Sequence, residues 1–276
     1  MFDKKYEREI LRTPEQLSDF ETQNPYLYGI PLLFPPNRIE HAQFGFEGRI
    51  YKFPVNEPKT GCFVHGVMHE TAFWIAKHTA DTVVLYYEAT EENPYVGYPH
   101  EFIFEVTYQL LENRLKQTIR ILNQSDFNMP IGLGFHTTFN TTDVSDCCVM
   151  ANVLKEFTRN EKYLPTGEYD EHTETICHLN SKNGYDTKKE LSALFSLGEN
   201  HTVLLELDHR IKIRYQLDEK YPYLMVFNTG SDGNYVCIEP QSWISNCPHF
   251  ENREAYGFSY VKPHEEVSYT TSICVD

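Results

Sequence analysis

Hydrophobic and polar residues alternate with a period of two along much of the chain. Phe102, Phe104, Val106, Tyr108 and Leu110 fall on one face, with Ile103, Glu105, Thr107 and Gln109 on the other. This is the signature of a strand with one buried side. After Glu112-Asn113 the pattern resumes, with Leu115, Gln117, Ile119 and Ile121 against Arg114, Lys116, Thr118 and Arg120. The two segments are predicted to pair as an antiparallel hairpin. Residues 211–217 alternate in the same way, as does the final stretch 266–275. Short apolar runs at 83–87, 203–207, 224–227 and 235–238 read as further buried strands. Turn residues punctuate these runs at Lys59-Thr60-Gly61, Pro94, Pro99, Asn183-Gly184 and Asp232-Gly233. The nearest approach to a helical period is the stretch KKELSALF, beginning after Thr187, and residues 152–186 are polar enough to read as an elaborated loop.

So many one-sided strands need a second apolar face to cover them, which predicts an all-β fold, a large antiparallel β-sandwich. No repeat, low-complexity linker or break in composition divides the chain, so residues 1–276 are expected to form a single domain. Composition adds exclusions. The 24 Lys and Arg against 40 Asp and Glu give a net charge of −16, which argues against a nucleic-acid partner and against an anionic membrane surface. No run approaches the ~18 consecutive apolar residues of a membrane helix. The opening MFDKKYEREI lacks an apolar signal core, and the seven cysteines form no CxxC. A reduced, cytoplasmic setting is therefore expected.

Several chemical motifs fail on inspection. Gly132-Leu-Gly134 lacks the third glycine of a dinucleotide turn, and there is no phosphate-binding glycine loop and no GxSxG. His65 and His69 have the spacing of the zinc histidines in HExxH, but Gly66 stands where the glutamate would be, so no metal site is expected there. Four segments remain: GIPLLFPPNRI at 29–39, followed by FGFEGRIYKFPVN; VHG at 64–66; MPIGLGFHTTF at 129–139; and IEPQSW at 238–243. In this order and spacing the chain resembles the aldose 1-epimerase family, the galactose mutarotase-like proteins. Its proline-rich opening is most similar to the shorter bacterial branch that includes hexose-6-phosphate mutarotase relatives. The resemblance implies an isomerase that interconverts the α and β anomers of an aldose without a cofactor or metal. Its partner would be a monosaccharide or sugar-phosphate substrate.

Read from local context, Glu239 follows an apolar run and precedes Pro240. It is expected at a strand end, where partial burial raises a carboxyl pKa; a strand-end glutamate capping a loop has the same context. The resemblance places the family's catalytic carboxylate at this IEPQ position and makes Glu239 the base. His136 sits among glycines and apolar residues, either as a core histidine bonded to a carbonyl or as a proton donor whose charged form a nearby glutamate favours. The resemblance makes it the acid. Arg38, in an apolar setting, needs acceptors, from sugar hydroxyls or from a structural carboxylate. His65 matches the family's sugar-binding histidine. Trp74, Trp243 or a tyrosine could stack on a sugar face. One departure stands out. Many family members carry a sugar-contacting aspartate mid-chain, and here that stretch reads Ser192-Ala193 before Phe195. Asp186 and Asp208 are the acids on offer as substitutes, though neither matches by local sequence. A non-catalytic carbohydrate-binding or sensing module on the same sandwich is the alternative. Arg49, Lys77 and Lys155 are candidates for a phosphate rim, while the net charge favours an uncharged sugar.

Overall fold

The computed structural model describes all residues except 17 and 20–23, with backbone only at Asp232. The one-sided strands assemble as their alternation dictates. In the strand Ile211–Leu217 every second residue is buried, from Ile211 through Leu217, while Lys212, Arg214 and Gln216 are exposed. The predicted hairpin forms with all ten pairs in register, from Phe102 opposite Asn123 to Leu111 opposite Arg114. These strands belong to a nine-stranded antiparallel sheet. Its order is Tyr185–Asp186, Cys147–Met150, Thr202–Leu207, Ile211–Leu217, Glu266–Val275, Arg114–Asn123, Phe102–Leu111, Thr82–Ala89 and Trp74–His78.

A second, eight-stranded sheet runs Pro165–Asp170, Val153–Arg159, Leu191–Leu197, Tyr223–Asn228, Tyr235–Gln241, Gly134–Phe135 and Leu32–Leu33, with Thr137–Asn140 also pairing on Tyr235–Gln241. The sheets pack face to face through one apolar core. Tyr215 of the first sheet meets the second at Phe139, with ring centroids 5.8 Å apart, and its hydroxyl lies 2.9 Å from that of Thr137. This is the predicted sandwich, because each sheet has one apolar face and only another such face can cover it.

Two expectations about local structure fail. The KKELSALF stretch is not helical: Leu191–Leu197 is a central strand buried on both faces at Ala193, Leu194 and Phe195. A strand covered on both sides loses its alternation, and its apolar run then imitates a helical period. The polar region 152–186 is not a loop. It forms the hairpin Val153–Arg159 with Pro165–Asp170 and a short helix, Glu174–Leu179, whose Thr173 hydroxyl accepts from the Ile176 N–H at 3.1 Å.

Candidate active site

The four sequence-selected residues come from four segments of the chain and meet in one cavity of about 670 Å³. Arg38 opens the strand Arg38–Glu40, which pairs with Cys62–Val64 so that Arg38 lies opposite Val64. His65 follows in a turn where both His65 and Gly66 have positive φ, +65° and +68°. A Cβ on Gly66 would stand 2.1 Å from the Phe34 carbonyl oxygen, so only glycine fits beneath this histidine. The two segments VHG and GIPLLFPPNRI are thus one structural unit.

His136 and Glu239 are brought together by strand register. Gly134 pairs with Gln241 and Thr137 with Ile238 in one antiparallel ladder, which sets His136 directly across from Glu239. Residues directly opposite share a face of the sheet. The His136 Nε2 lies 3.2 Å from the Glu239 Oε1, with both side chains almost wholly buried. Glu239 is inside its strand, not at the end as Pro240 implies. Proline lacks a donor and normally marks a strand boundary; here it lies opposite Leu224 within Tyr235–Gln241. The glycines of GLGFH serve packing, not ligand approach: a Cβ at Gly132 would meet the Trp243 indole at 2.1 Å.

Burial dominates the electrostatics of the pair. It pushes the Glu239 carboxyl up to about 8, against the opposing pull of Arg38 and Arg159. It pushes His136 down to about 4. The expectation that the glutamate would hold His136 protonated is therefore corrected. Near neutral pH the pair carries one proton, resting on the carboxyl, and the imidazole is neutral. His65 is likewise held well below its ordinary value, by burial first and then by His136, Arg38 and His69. Arg38 is ion-paired: its Nε and Nη2 donate to the two Glu57 oxygens, each at 2.7 Å, while it still lines the cavity. For Glu57, burial alone would raise the carboxyl, but Arg38 and the Thr60 hydroxyl outweigh it and hold it low.

Donor atoms of His65, His136 and Glu239 all lie within 4.8 Å of one another. Among the described residues this is the set that could hold a metal ion, and His69, the other half of the HxxxH spacing, is not part of it.

Some candidates fall away. Trp74 is on an edge strand and exposed, and Trp243 is fully buried in the core, so neither can stack on a ligand in this cavity. Tyr26, Tyr163 and Tyr235 line it instead, Tyr26 with its ring centroid 4.7 Å from that of His65. Arg49 covers the Phe127 ring, Lys155 covers Tyr169, and Lys77 lies on the edge strand, so none forms a rim here. Asp208 caps the Ser145–Asp146 backbone and Asp186 pairs opposite Cys148 in the other sheet; neither replaces the mid-chain aspartate. At that place Ser192 lines the cavity, with Glu190 nearby and Arg159 donating to the Ser192 carbonyl and, at 3.3 Å, to its hydroxyl. Arg159 was missed because its segment read as loop, and its VLKEFTR run, interrupted by a register shift near Val153, carries no period-two alternation to mark a strand.

The same sandwich is seen in a galactose mutarotase-like protein from Clostridium acetobutylicum. It is 31% identical, covers 97% of this chain and 85% of that one, and superposes with a TM-score of 0.89. A galactose 1-epimerase from Lactobacillus acidophilus NCFM, 16% identical and covering 98% of this chain and 86% of that one, shares the fold with a TM-score of 0.73. A model of the aldose 1-epimerase family matches residues 2–274, and the chain belongs to that family. The Escherichia coli K12 protein YihR is 28% identical over 134 residues, which are 48% of this chain and 42% of YihR.

Proposed function

We propose that the chain is a mutarotase, interconverting the α and β anomers of an aldose with Glu239 and His136 as the proton-handling pair. The observation that carries this is their apposition at 3.2 Å in the cavity. Anomer exchange requires removal of the proton on O1 and delivery of one to the ring oxygen O5. Both oxygens are bonded to C1, so the two groups must sit side by side, as these do. Glu239 as carboxylate takes the O1 proton while His136 as imidazolium donates to O5. The C1–O5 bond breaks and C1 becomes an aldehyde. Rotation about C1–C2 presents its other face, O5 attacks, and both protons return.

A pair holding one proton suits this cycle in both its forms. Carboxylate with imidazolium starts ring opening, and carboxyl with neutral imidazole is what ring opening leaves behind. Burial, which disfavours separated charge, favours the second form. Arg38 and Arg159, which pull the Glu239 pKa down, make the first form reachable when a sugar supplies hydroxyl partners. Arg38 and His65 would bind the sugar, with Tyr26 against its apolar face. The test is NMR exchange between anomers across a panel of aldoses. Acceleration above buffer that disappears in His136→Asn supports the reading. Saturable binding without exchange would select the sensing module instead.

A further inference from the structure

Arg159 ends the strand Val153–Arg159 and lines the cavity that holds Glu239. Its Nη2 is held by the Ser192 carbonyl and hydroxyl, while Nη1 has the Met225 sulfur at 3.9 Å. Its Nε finds no acceptor among the described residues, and no carboxylate oxygen among them lies within 4.0 Å of the guanidinium. The other arginine in the cavity, Arg38, has its charge paired by Glu57, which takes its Nε and Nη2 donors and leaves Nη1 for a sugar hydroxyl. Glu156 points its carboxylate oxygen at the Thr173 hydroxyl, 2.6 Å away, and Glu239 is protonated near neutral pH. A half-buried guanidinium is always charged, and leaving it without a counter-charge is unfavourable.

A neutral sugar does not resolve this, because a hydroxyl offers a single oxygen to the planar fork and carries no charge. A carboxylate or a phosphate supplies both the charge and two oxygens to match the fork. The −16 charge acts at long range and is screened over ~8 Å at physiological salt, so it does not cancel a contact inside the cavity.

Resting on the mutarotase reading, we propose that Arg159 is the specificity residue of this site and that the substrate is an aldose carrying an anionic group, carboxylate or phosphate, away from C1. Anomer exchange is measured by NMR for a neutral aldohexose, its 6-phosphate and the corresponding uronate. At least one anionic sugar should exceed the neutral one by ~10-fold or more in kcat/KM, the scale of one charge-assisted hydrogen bond. Which one exceeds it separates phosphate from carboxylate. Arg159→Gln should bring that ratio to within about threefold of one. Arg159→Lys, which keeps the charge and loses the fork, should retain part of it.

A neutral sugar matching both anions, equal losses for all three sugars in Arg159→Gln, or an unchanged ratio in a folded Arg159→Lys would each overturn the proposal. If no sugar exchanges, the mutarotase reading fails. Titration with inorganic phosphate then decides the role of Arg159 alone: binding weakened ~10-fold in Arg159→Gln supports it, and unaltered binding overturns it.

Discussion

Glu239 shows how a single side chain takes its chemistry from its surroundings. Its carboxyl is 2% exposed and titrates at about 8, because a charged carboxylate in this interior has few compensating partners. Glu239→Gln is expected to lower the anomer-exchange rate by ~100-fold or more, the lower range for a general base, while a sugar still binds by equilibrium titration. The coupled pair also sets a pH profile. Below about 4 the imidazole gains a second proton, and above about 8 the carboxyl loses the only one. kcat/KM, corrected for the spontaneous reaction, should be bell-shaped with limbs near those values, which belong to the pair and not to either residue. A profile flat from pH 5 to 10 would contradict it. At this scale the sequence was legible only where a motif stood out. Glu239, His136, His65 and Arg38 are all in motifs and all reach the cavity. Arg159 and Tyr163 have no motif, since what matters is the hairpin that carries them, and Ser192 reads as an absence.

The elements explain why the motifs have the composition they do. Gly66 lies at φ +68° against the Phe34 carbonyl, and no side-chain movement could relieve a Cβ placed there, because the obstacle is backbone. Gly66→Ala should destabilise the fold by roughly 2–4 kcal/mol in denaturant unfolding, as expected for combined backbone strain and overlap. A loss under ~0.5 kcal/mol would mean that the turn has room to shift. Strands with one buried face, such as Ile211–Leu217, were readable because burial on one side writes a period of two into the chain. Leu191–Leu197 was not, being covered on both faces, and Glu174–Leu179 is too short to establish a helical period. Pro240 misplaced a strand end for a related reason. A residue without a donor reads as a terminator, yet it is accommodated beside the gap between Gly134–Phe135 and Thr137–Asn140.

Over the whole molecule, the sandwich was legible and its cavity was not. Alternation reports which side of a strand is covered, but not which strands become neighbours. Buried histidines give the molecule a common response to acid. His65, His69, His100 and His136 all have pKa values depressed below the ordinary 6.5, in each case chiefly by burial. A depressed histidine contributes stability that is complete above its unfolded value and is lost as pH falls towards its folded value. For His136 that window runs from about 6.5 to about 4, and for His100 from about 6.5 to about 3. Glu239 acts in the opposite sense: its raised pKa favours folding most below 4.5, and that contribution fades as pH rises through about 8. Four groups outweigh one, so the melting temperature should drop by several degrees between pH 6.5 and 4.5. Relative to wild type, Glu239→Gln should gain stability as pH rises from 6 to 9. Calorimetry across that range checks both signs.

The ladder that sets His136 across from Glu239 has one more effect, on how the molecule fails when heated. Reactive groups mounted on mobile loops usually fall silent before a protein melts, because the loop frays first. Here the two groups face each other across paired strands of a sheet, and they can part only if those neighbouring strands come away from each other. Heat inactivation and global melting should therefore coincide on a single curve, which would make turnover a faithful gauge of how many molecules in a sample are intact.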